Sequence, residues 1–145
     1  FLEADNIMSF EQVNKEIWSV GAEIFVPAAA SRLLSQKQLD ILIENGLEVI
    51  SAGANVPFAD KEIFLGPISK SADKRISVLP DFIANCGMAR AFSYFMQDNI
   101  KMTDVSIFEA VSNTIRNALE KTYETNNNKT YISKTAFEIA LKQLI

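Results

Sequence analysis

Two asparagines, Asn55 and Asn85, are the side chains in this sequence best placed to bind a polar, uncharged group. Each follows a short β-rich run and stands among small residues, within residues 51–58 and 80–87 respectively. Small residues let a flat ligand approach the backbone closely, and an amide offers both hydrogen-bond donors and an acceptor. The alternative is that both asparagines only cap or turn the chain.

The composition removes several kinds of chemistry. The 145 residues include no histidine, which excludes Ser-His-Asp and Cys-His catalysis and imidazole-based metal sites, and we predict no metal site. One cysteine, Cys86, allows no internal disulfide and fits a reducing compartment. The 14 basic and 18 acidic side chains are interspersed, with a net charge of −4, so no nucleic-acid partner is expected.

The apolar and terminal segments bear on location. The longest apolar run, residues 24–30, is too short to span a bilayer, and Glu3 and Asp5 occupy positions where a signal peptide carries positive charge. We therefore expect a soluble, cytoplasmic protein without a membrane partner. The chain opens with Phe1 rather than methionine, which suggests a piece of a longer protein or a trimmed chain.

Periodicity and capping signals divide the first part of the chain into alternating helices and strands. Ser35 is a candidate helix cap, Gly46 a left-handed stop, and Gly66-Pro67 is expected to end a helix. Residues 73–75 are predicted to form a turn. The predicted elements are helices over residues 9–20, 36–44 and 59–65 and strands over residues 22–26, 47–50 and 76–79.

The rest of the chain is predicted to be helical. Apolar residues at roughly helical spacing cover residues 82–97, and Thr103 is a candidate cap for a helix over residues 104–124. A polar run over residues 125–130 indicates a loop, after which Ser133 is predicted to cap a last helix.

The alternation of elements indicates an α/β fold. The strand segments are short and lack period-2 alternation, as in strands buried on both faces of a parallel sheet. Ligands of such sheets gather at the carboxyl ends of the strands, which here are the loops over residues 27–31, 51–58 and 80–87.

Three blocks of sequence resemble the glutamate/leucine/phenylalanine/valine dehydrogenase family, in the C-terminal part of its coenzyme-binding domain. Residues 22–29 look like the family's D-I-hydrophobic-x-P-x-A pattern, residues 46–57 like its E-G-A-N-x-P block, and residues 79–87 like P-D-x-x-x-N-A-G-G. The resemblance implies the second half of a Rossmann-type NAD(P)-binding domain over residues 1–97. It also implies a C-terminal helical extension, residues 98–145, that packs on this domain.

The resemblance implies oxidative deamination of an amino acid to a 2-oxo acid and ammonia, with hydride transfer to NAD or NADP. It places Ala29 near the adenosine half of the coenzyme, Asn55 and Asn85 near its nicotinamide end, and Gly87 where the backbone passes close to it. The family's catalytic lysine and aspartate and its glycine-rich pyrophosphate turn belong to upstream regions. We therefore expect no catalytic residue in this chain, no activity from it alone, and a homo-oligomer for the full-length protein.

The sequence departs from the family motifs at positions that bear on the substrate. Met88 stands where the second glycine of N-A-G-G would be, followed by Ala89. A gapless alignment places Phe92 where glutamate-specific members carry a substrate-contacting serine, whereas a one-residue insertion would place Ser93 there. Ala89, Phe92 and Ser93 are thus candidate substrate-binding residues, and we predict a preference for apolar amino acids over glutamate.

Two other interpretations stay open from the sequence. One is a stand-alone, non-catalytic α/β binding or interaction module that keeps the cleft without the chemistry. The other is a different Rossmann oxidoreductase whose motifs match by chance. The sequence does not determine which amino acid is the substrate or whether the coenzyme is NAD or NADP.

Overall fold

The computed structural model describes residues 7–143 and shows three short parallel strands with helices packed around them. The helices are α1 (Phe10–Glu16), α2 (Gln36–Glu44), α3 (Pro67–Arg75), α4 (Asp81–Ala84), α5 (Gly87–Phe95), α6 (Asp104–Thr125) and α7 (Ile132–Lys142). The strands are β1 (Ile24–Phe25), β2 (Val49–Ser51) and β3 (Ser77–Leu79), and a 3₁₀ turn over Ile17–Ser19 extends α1. The chain is α/β, as the alternation of elements predicted.

The strands lie in the order β1-β2-β3, with Ile24 opposite Val49 and Ile50 opposite Val78. Parallel neighbours require a crossover connection, and α2 and α3 supply the two crossovers. Ile50 and Val78 are fully buried in the middle of the sheet, which explains why these strands read as apolar runs. The rest of the buried cluster comes from the crossovers and loops: Trp18, Leu34, Leu39, Leu42, Leu47, Phe58, Ala72 and Ile76.

Local capping signals set the ends of α2 and the start of α6. The Ser35 hydroxyl accepts the N–H of Gln38, whose side chain accepts the N–H of Ser35 in return. Gly46, at φ +96°, follows α2 in the left-handed conformation. Thr103 accepts the N–H of Ser106 at 3.2 Å and caps α6. These predictions are confirmed because each signal and its partner lie within a few residues of one another.

The helix predicted over residues 59–65 is wrong, because this segment forms bends and the helix begins after it, at Pro67. Proline suits the first position of a helix since its φ is already helical and its missing N–H is not needed there. The N–H groups of Ile68 and Ser69 donate to the Asp60 carboxylate at 2.8 and 2.9 Å. The Gly-Pro pair therefore begins a helix here rather than ending one.

The turn predicted over residues 73–75 is also wrong, since these residues form the last turn of α3. Asp73 is 2% exposed, and its carboxylate accepts the N–H groups of Ser133 and Lys134 at 2.8 and 3.0 Å. Ser133, which was expected to cap α7, lies inside that helix, which begins after Tyr131. Asp73 thus caps α7 from a distant part of the chain, and burial raises the pKa of its carboxyl above the ordinary value.

The apolar segment over residues 82–97 forms two helices rather than one. α4 ends at Ala84, and α5 begins at Gly87. The N–H of Asn85 donates to the carbonyl of Asp81 at 2.9 Å, which closes the single turn of α4. The break places Asn85 beside the loop that follows β2, where its side chain finds a partner.

The C-terminal helices pack on α5, on β3 and on α3. Arg90 Nε on α5 donates to Thr114 Oγ1 on α6 at 3.0 Å, and the Ser77 hydroxyl of β3 donates to the Lys129 carbonyl at 2.7 Å. None of the helices within residues 7–143 is long and apolar enough to cross a membrane.

Candidate functional site

The loops that follow the three strands meet at one edge of the sheet. The Ala54 N–H donates to the Pro27 carbonyl at 2.7 Å, which joins the loops after β1 and β2. The Ala52 N–H donates to the Leu79 carbonyl at 3.1 Å, which joins β2 to the end of β3. This carboxyl edge is where ligands of open parallel sheets bind.

Gly53 allows the first two loops to approach one another closely. A Cβ atom at this position would lie 2.9 Å from the Ala28 Cβ and 3.4 Å from the Val26 Cγ1. Both loops would have to move apart to accept that carbon, because Ala28 has no flexible side chain that could swing away. Gly53 was not among the residues selected from the sequence, although its place near Asn55 in a run of small residues was a usable signal.

The two asparagines selected from the sequence lie in direct contact. Asn85 Nδ2 donates to Asn55 Oδ1 at 2.7 Å, which joins the loops after β2 and β3. Asn55 is exposed and Asn85 is half-buried. Within residues 7–143, the remaining amide atoms of the pair, Asn55 Nδ2 and Asn85 Oδ1, make no hydrogen bond. The pair therefore presents N–H donors from one amide beside a carbonyl acceptor from the other.

Asp81 contacts the backbone beside both asparagines and was not selected from the sequence. Its Oδ2 accepts the Val56 N–H at 2.7 Å, and its Oδ1 accepts the Phe82 N–H at 2.9 Å. An aspartate directly after Pro80, in the first turn of a short helix, suggests a local cap from sequence alone. Its bond to Val56 spans 25 positions, so only the fold reveals it.

Ala29 lies at the other end of the carboxyl edge, next to β1. It is exposed and, with Ala28, lines an apolar groove of about 380 Å³. The other walls of the groove come mainly from the region of α1 and from β1, including Phe10, Val13, Ile17, Trp18 and Phe25. The groove offers an apolar surface beside the loop after β1.

The remaining candidate residues belong to α5. Gly87 is the first residue of this helix, and a Cβ there would lie 3.4 Å from Val111 Cγ1 of α6, an ordinary contact distance. Ala89, Phe92 and Ser93 are exposed and share one face at helical spacing. The structure places this face on the helix that begins two residues after Asn85.

The carboxyls whose pKa values shift lie away from the amide pair. A hydrogen bond from Arg75 lowers the pKa of Asp40 on α2, and Asp73 lies at the contact between α3 and α7. Within residues 7–143, no three cysteine or carboxylate side chains are grouped as metal ligands. Of the side-chain groups described at the carboxyl edge, Asn55 Nδ2 and Asn85 Oδ1 are the ones left available to a ligand.

Comparison with known proteins shows the family and a similar fold. The sequence profile of the glutamate/leucine/phenylalanine/valine dehydrogenases matches residues 3–145. The crystal structure of Plasmodium falciparum glutamate dehydrogenase is similar in fold, with a TM-score of 0.57 and 23% sequence identity over 82% of this chain. The chain spans only 26% of that structure's length. No curated protein sequence matches the chain significantly. Since the profile covers nearly the whole chain, the chain belongs to the glutamate/leucine/phenylalanine/valine dehydrogenase family.

Proposed function

We propose that this chain is the C-terminal part of an NAD(P)-dependent amino-acid dehydrogenase, which oxidatively deaminates an amino acid to a 2-oxo acid and ammonia. Membership of the family supports the reaction class. The observation that carries the proposal is the Asn55–Asn85 amide pair, held at the carboxyl edge of a parallel sheet. Residues 1–97 belong to the coenzyme domain in this proposal, and residues 98–145 form its helical extension.

The amide pair fits the nicotinamide end of the coenzyme. A nicotinamide carries a primary carboxamide with one carbonyl acceptor and one N–H₂ donor group. Asn55 Nδ2 suits the carbonyl, and Asn85 Oδ1 suits the N–H₂, because the bond between the two asparagines uses the other two amide functions. When bound, the coenzyme supplies the hydride acceptor, and these side chains orient the ring that receives the hydride.

The adenosine half of the coenzyme fits the other end of the edge. Ala29 and Ala28 line the apolar groove beside β1, and an apolar groove of this kind suits an aromatic base. Gly53 keeps this loop close to the one that carries Asn55. Gly87, the first residue of α5, completes the proposed coenzyme-binding set as the position where the backbone would pass close to the coenzyme.

The exposed face of α5 is the proposed contact with the substrate side chain. Its residues Ala89, Phe92 and Ser93 carry no charge, and Phe92 is 60% exposed within this chain. Such a surface supports apolar amino acids as substrates. The catalytic lysine and aspartate and the pyrophosphate turn would come from elsewhere in the full-length protein, for which we also propose a cytoplasmic location and a homo-oligomeric assembly.

The proposal is tested by N55A and N85A in the full-length protein. Each removes hydrogen bonds worth about 1–3 kcal/mol, so we expect kcat/KM to fall roughly 5- to 100-fold with little change in Tm. N113A, which removes an exposed amide on α6, is the matched control and should leave the kinetics unchanged. A lower Tm with unaltered kinetics of the folded enzyme would instead indicate turn residues and favour a non-catalytic module.

A further inference from the structure

We infer that Asp81 is the positioning residue that sets the geometry of the Asn55–Asn85 pair. The inference rests on the proposed function, because it assigns a role at the same coenzyme site. Asp81 is the first residue of α4, directly after β3, and it contacts both loops that carry the asparagines.

The first contact fixes the peptide next to Asn55. Asp81 Oδ2 accepts the Val56 N–H at 2.7 Å, and the Val56 carbonyl accepts the Arg32 N–H at 2.7 Å. Val56 has φ +48°, a left-handed conformation that a β-branched residue rarely adopts. Such a conformation persists only when its surroundings hold it. The Asp81 carboxylate is one of the two groups that hold it here.

The second contact fixes the backbone of Asn85. The Asp81 carbonyl accepts the Asn85 N–H at 2.9 Å, so the single turn of α4 sets where the Asn85 side chain begins. The remaining carboxylate oxygen, Oδ1, accepts the Phe82 N–H at 2.9 Å and orients the Asp81 side chain. Asp81 therefore binds the backbone N–H of Val56, which directly follows Asn55, and that of Asn85 itself.

The arrangement differs from an ordinary helix cap. One oxygen of Asp81, Oδ1, accepts the N–H of Phe82 in the first turn of α4, as a local capping side chain does. The other oxygen, Oδ2, accepts an N–H from the separate loop that carries Asn55. The coupling between the two asparagine loops thus passes through a carboxylate that has no place in the proposed contact with coenzyme.

The test uses the full-length enzyme with D81A. We expect the coenzyme KM to rise about 5- to 20-fold with a smaller change in kcat. The reason is that both asparagine amides remain but are no longer held in the geometry that binds the coenzyme. D81N keeps one oxygen acceptor and should remain within about threefold of the parent enzyme. The double variant D81A/N55A should be no worse than N55A, because Asp81 acts through the pair.

D60A is the matched control, since Asp60 also accepts two backbone N–H groups but lies at the start of α3. It should lower Tm and leave the coenzyme KM unchanged. If D81A does not fold, D81S replaces it, because serine keeps an oxygen for Phe82 but is too short to reach Val56. An unchanged coenzyme KM in D81A, or in D81S where it replaces D81A, would overturn the inference, and so would multiplicative effects of D81A and N55A.

Failure of the proposed function gives a different result. If N55A and N85A leave the coenzyme KM unchanged, the proposal that the pair binds the coenzyme is wrong. A crystal structure of D81A then tests separately whether Asp81 positions the pair. Separation of Asn85 Nδ2 from Asn55 Oδ1 beyond about 3.5 Å would support positioning. An intact bond between the two amides would overturn it.

Discussion

At the scale of single residues, Gly53 lets the loops after β1 and β2 lie in close contact. The G53A substitution would place its Cβ 2.9 Å from the Ala28 Cβ, so we expect the free energy of unfolding to fall by about 1–3 kcal/mol. Urea unfolding measures this change. The second-site variant A28G removes the opposing carbon and should restore most of the loss. A G53A protein as stable as the parent would show that the loops separate without cost.

The Asp73 carboxylate makes a prediction of the same kind for the C-terminal helix. D73A removes the acceptor of the Ser133 and Lys134 N–H groups in a buried place. We expect a loss of about 2–3 kcal/mol in the free energy of unfolding, because both donors are left without a partner. D98A, at an exposed aspartate, is the control. Equal stability of D73A and D98A would contradict this role.

The pH dependence of stability follows from the same carboxyl. Burial raises the pKa of Asp73, so the folded state binds this proton more tightly than the unfolded state does. The contribution of Asp73 to the free energy of unfolding is therefore fully present below the unfolded-state pKa, about pH 4. It is lost as pH rises through the folded-state pKa. The unfolding free energy of the parent minus that of D73N should therefore fall as pH rises. A difference that grows with pH would require a lowered pKa.

At the scale of elements, the start of α3 depends on a carboxylate outside the helix. Asp60 is buried and accepts the N–H groups of Ile68 and Ser69, while Gly66 leaves room for it, since a Cβ there would collide with its carboxylate. We expect D60A to lower the free energy of unfolding by about 1–2 kcal/mol, the usual effect of a lost helix cap. Thermal and urea unfolding test this, with E62A in the same loop as the control. Identical stabilities of D60A and E62A would refute it.

At the scale of the whole molecule, the uncharged face of α5 predicts substrate choice. An apolar pocket offers no partner that offsets the cost of desolvating the side-chain carboxylate of glutamate. Apolar substrate side chains, by contrast, gain about 25 cal/mol for each Å² buried. We therefore expect kcat/KM of the full-length enzyme to be higher for leucine, valine or phenylalanine than for glutamate. F92S should reduce the ratio of kcat/KM for these apolar amino acids to kcat/KM for glutamate, and F108S on α6 should leave that ratio unchanged. A kcat/KM about tenfold or more higher for glutamate would contradict this prediction.

The activity of this chain by itself is a second prediction at this scale. The family's pyrophosphate turn supplies helix N-terminal amides for anion binding, and the chain spans 26% of the Plasmodium enzyme. We expect no amino-acid-dependent formation of NADH or NADPH from the purified chain, and very weak binding of coenzyme. A spectrophotometric turnover assay measures the first, with the full-length enzyme as the positive control. Turnover by the chain would refute the expectation.

The sequence by itself determined the features whose signals are local. Ser35, Gly46 and Thr103 mark helix ends because each acts within a few residues of itself, and runs of buried apolar residues indicate parallel strands. Motif spacing identified the family, and small-residue loops singled out Asn55 and Asn85. All of these depend on neighbours along the chain, which a sequence displays directly.

Only the tertiary structure decided which groups meet across the chain. A Gly-Pro pair suits either end of a helix, and the Asp60 carboxylate settles that α3 begins there. The start of α7 depends on Asp73, 60 positions before Ser133. The bond from Asn85 to Asn55 joins residues 30 positions apart, and that from Val56 to Asp81 spans 25. Such partners become neighbours only when the strands pair, so no local pattern carries them.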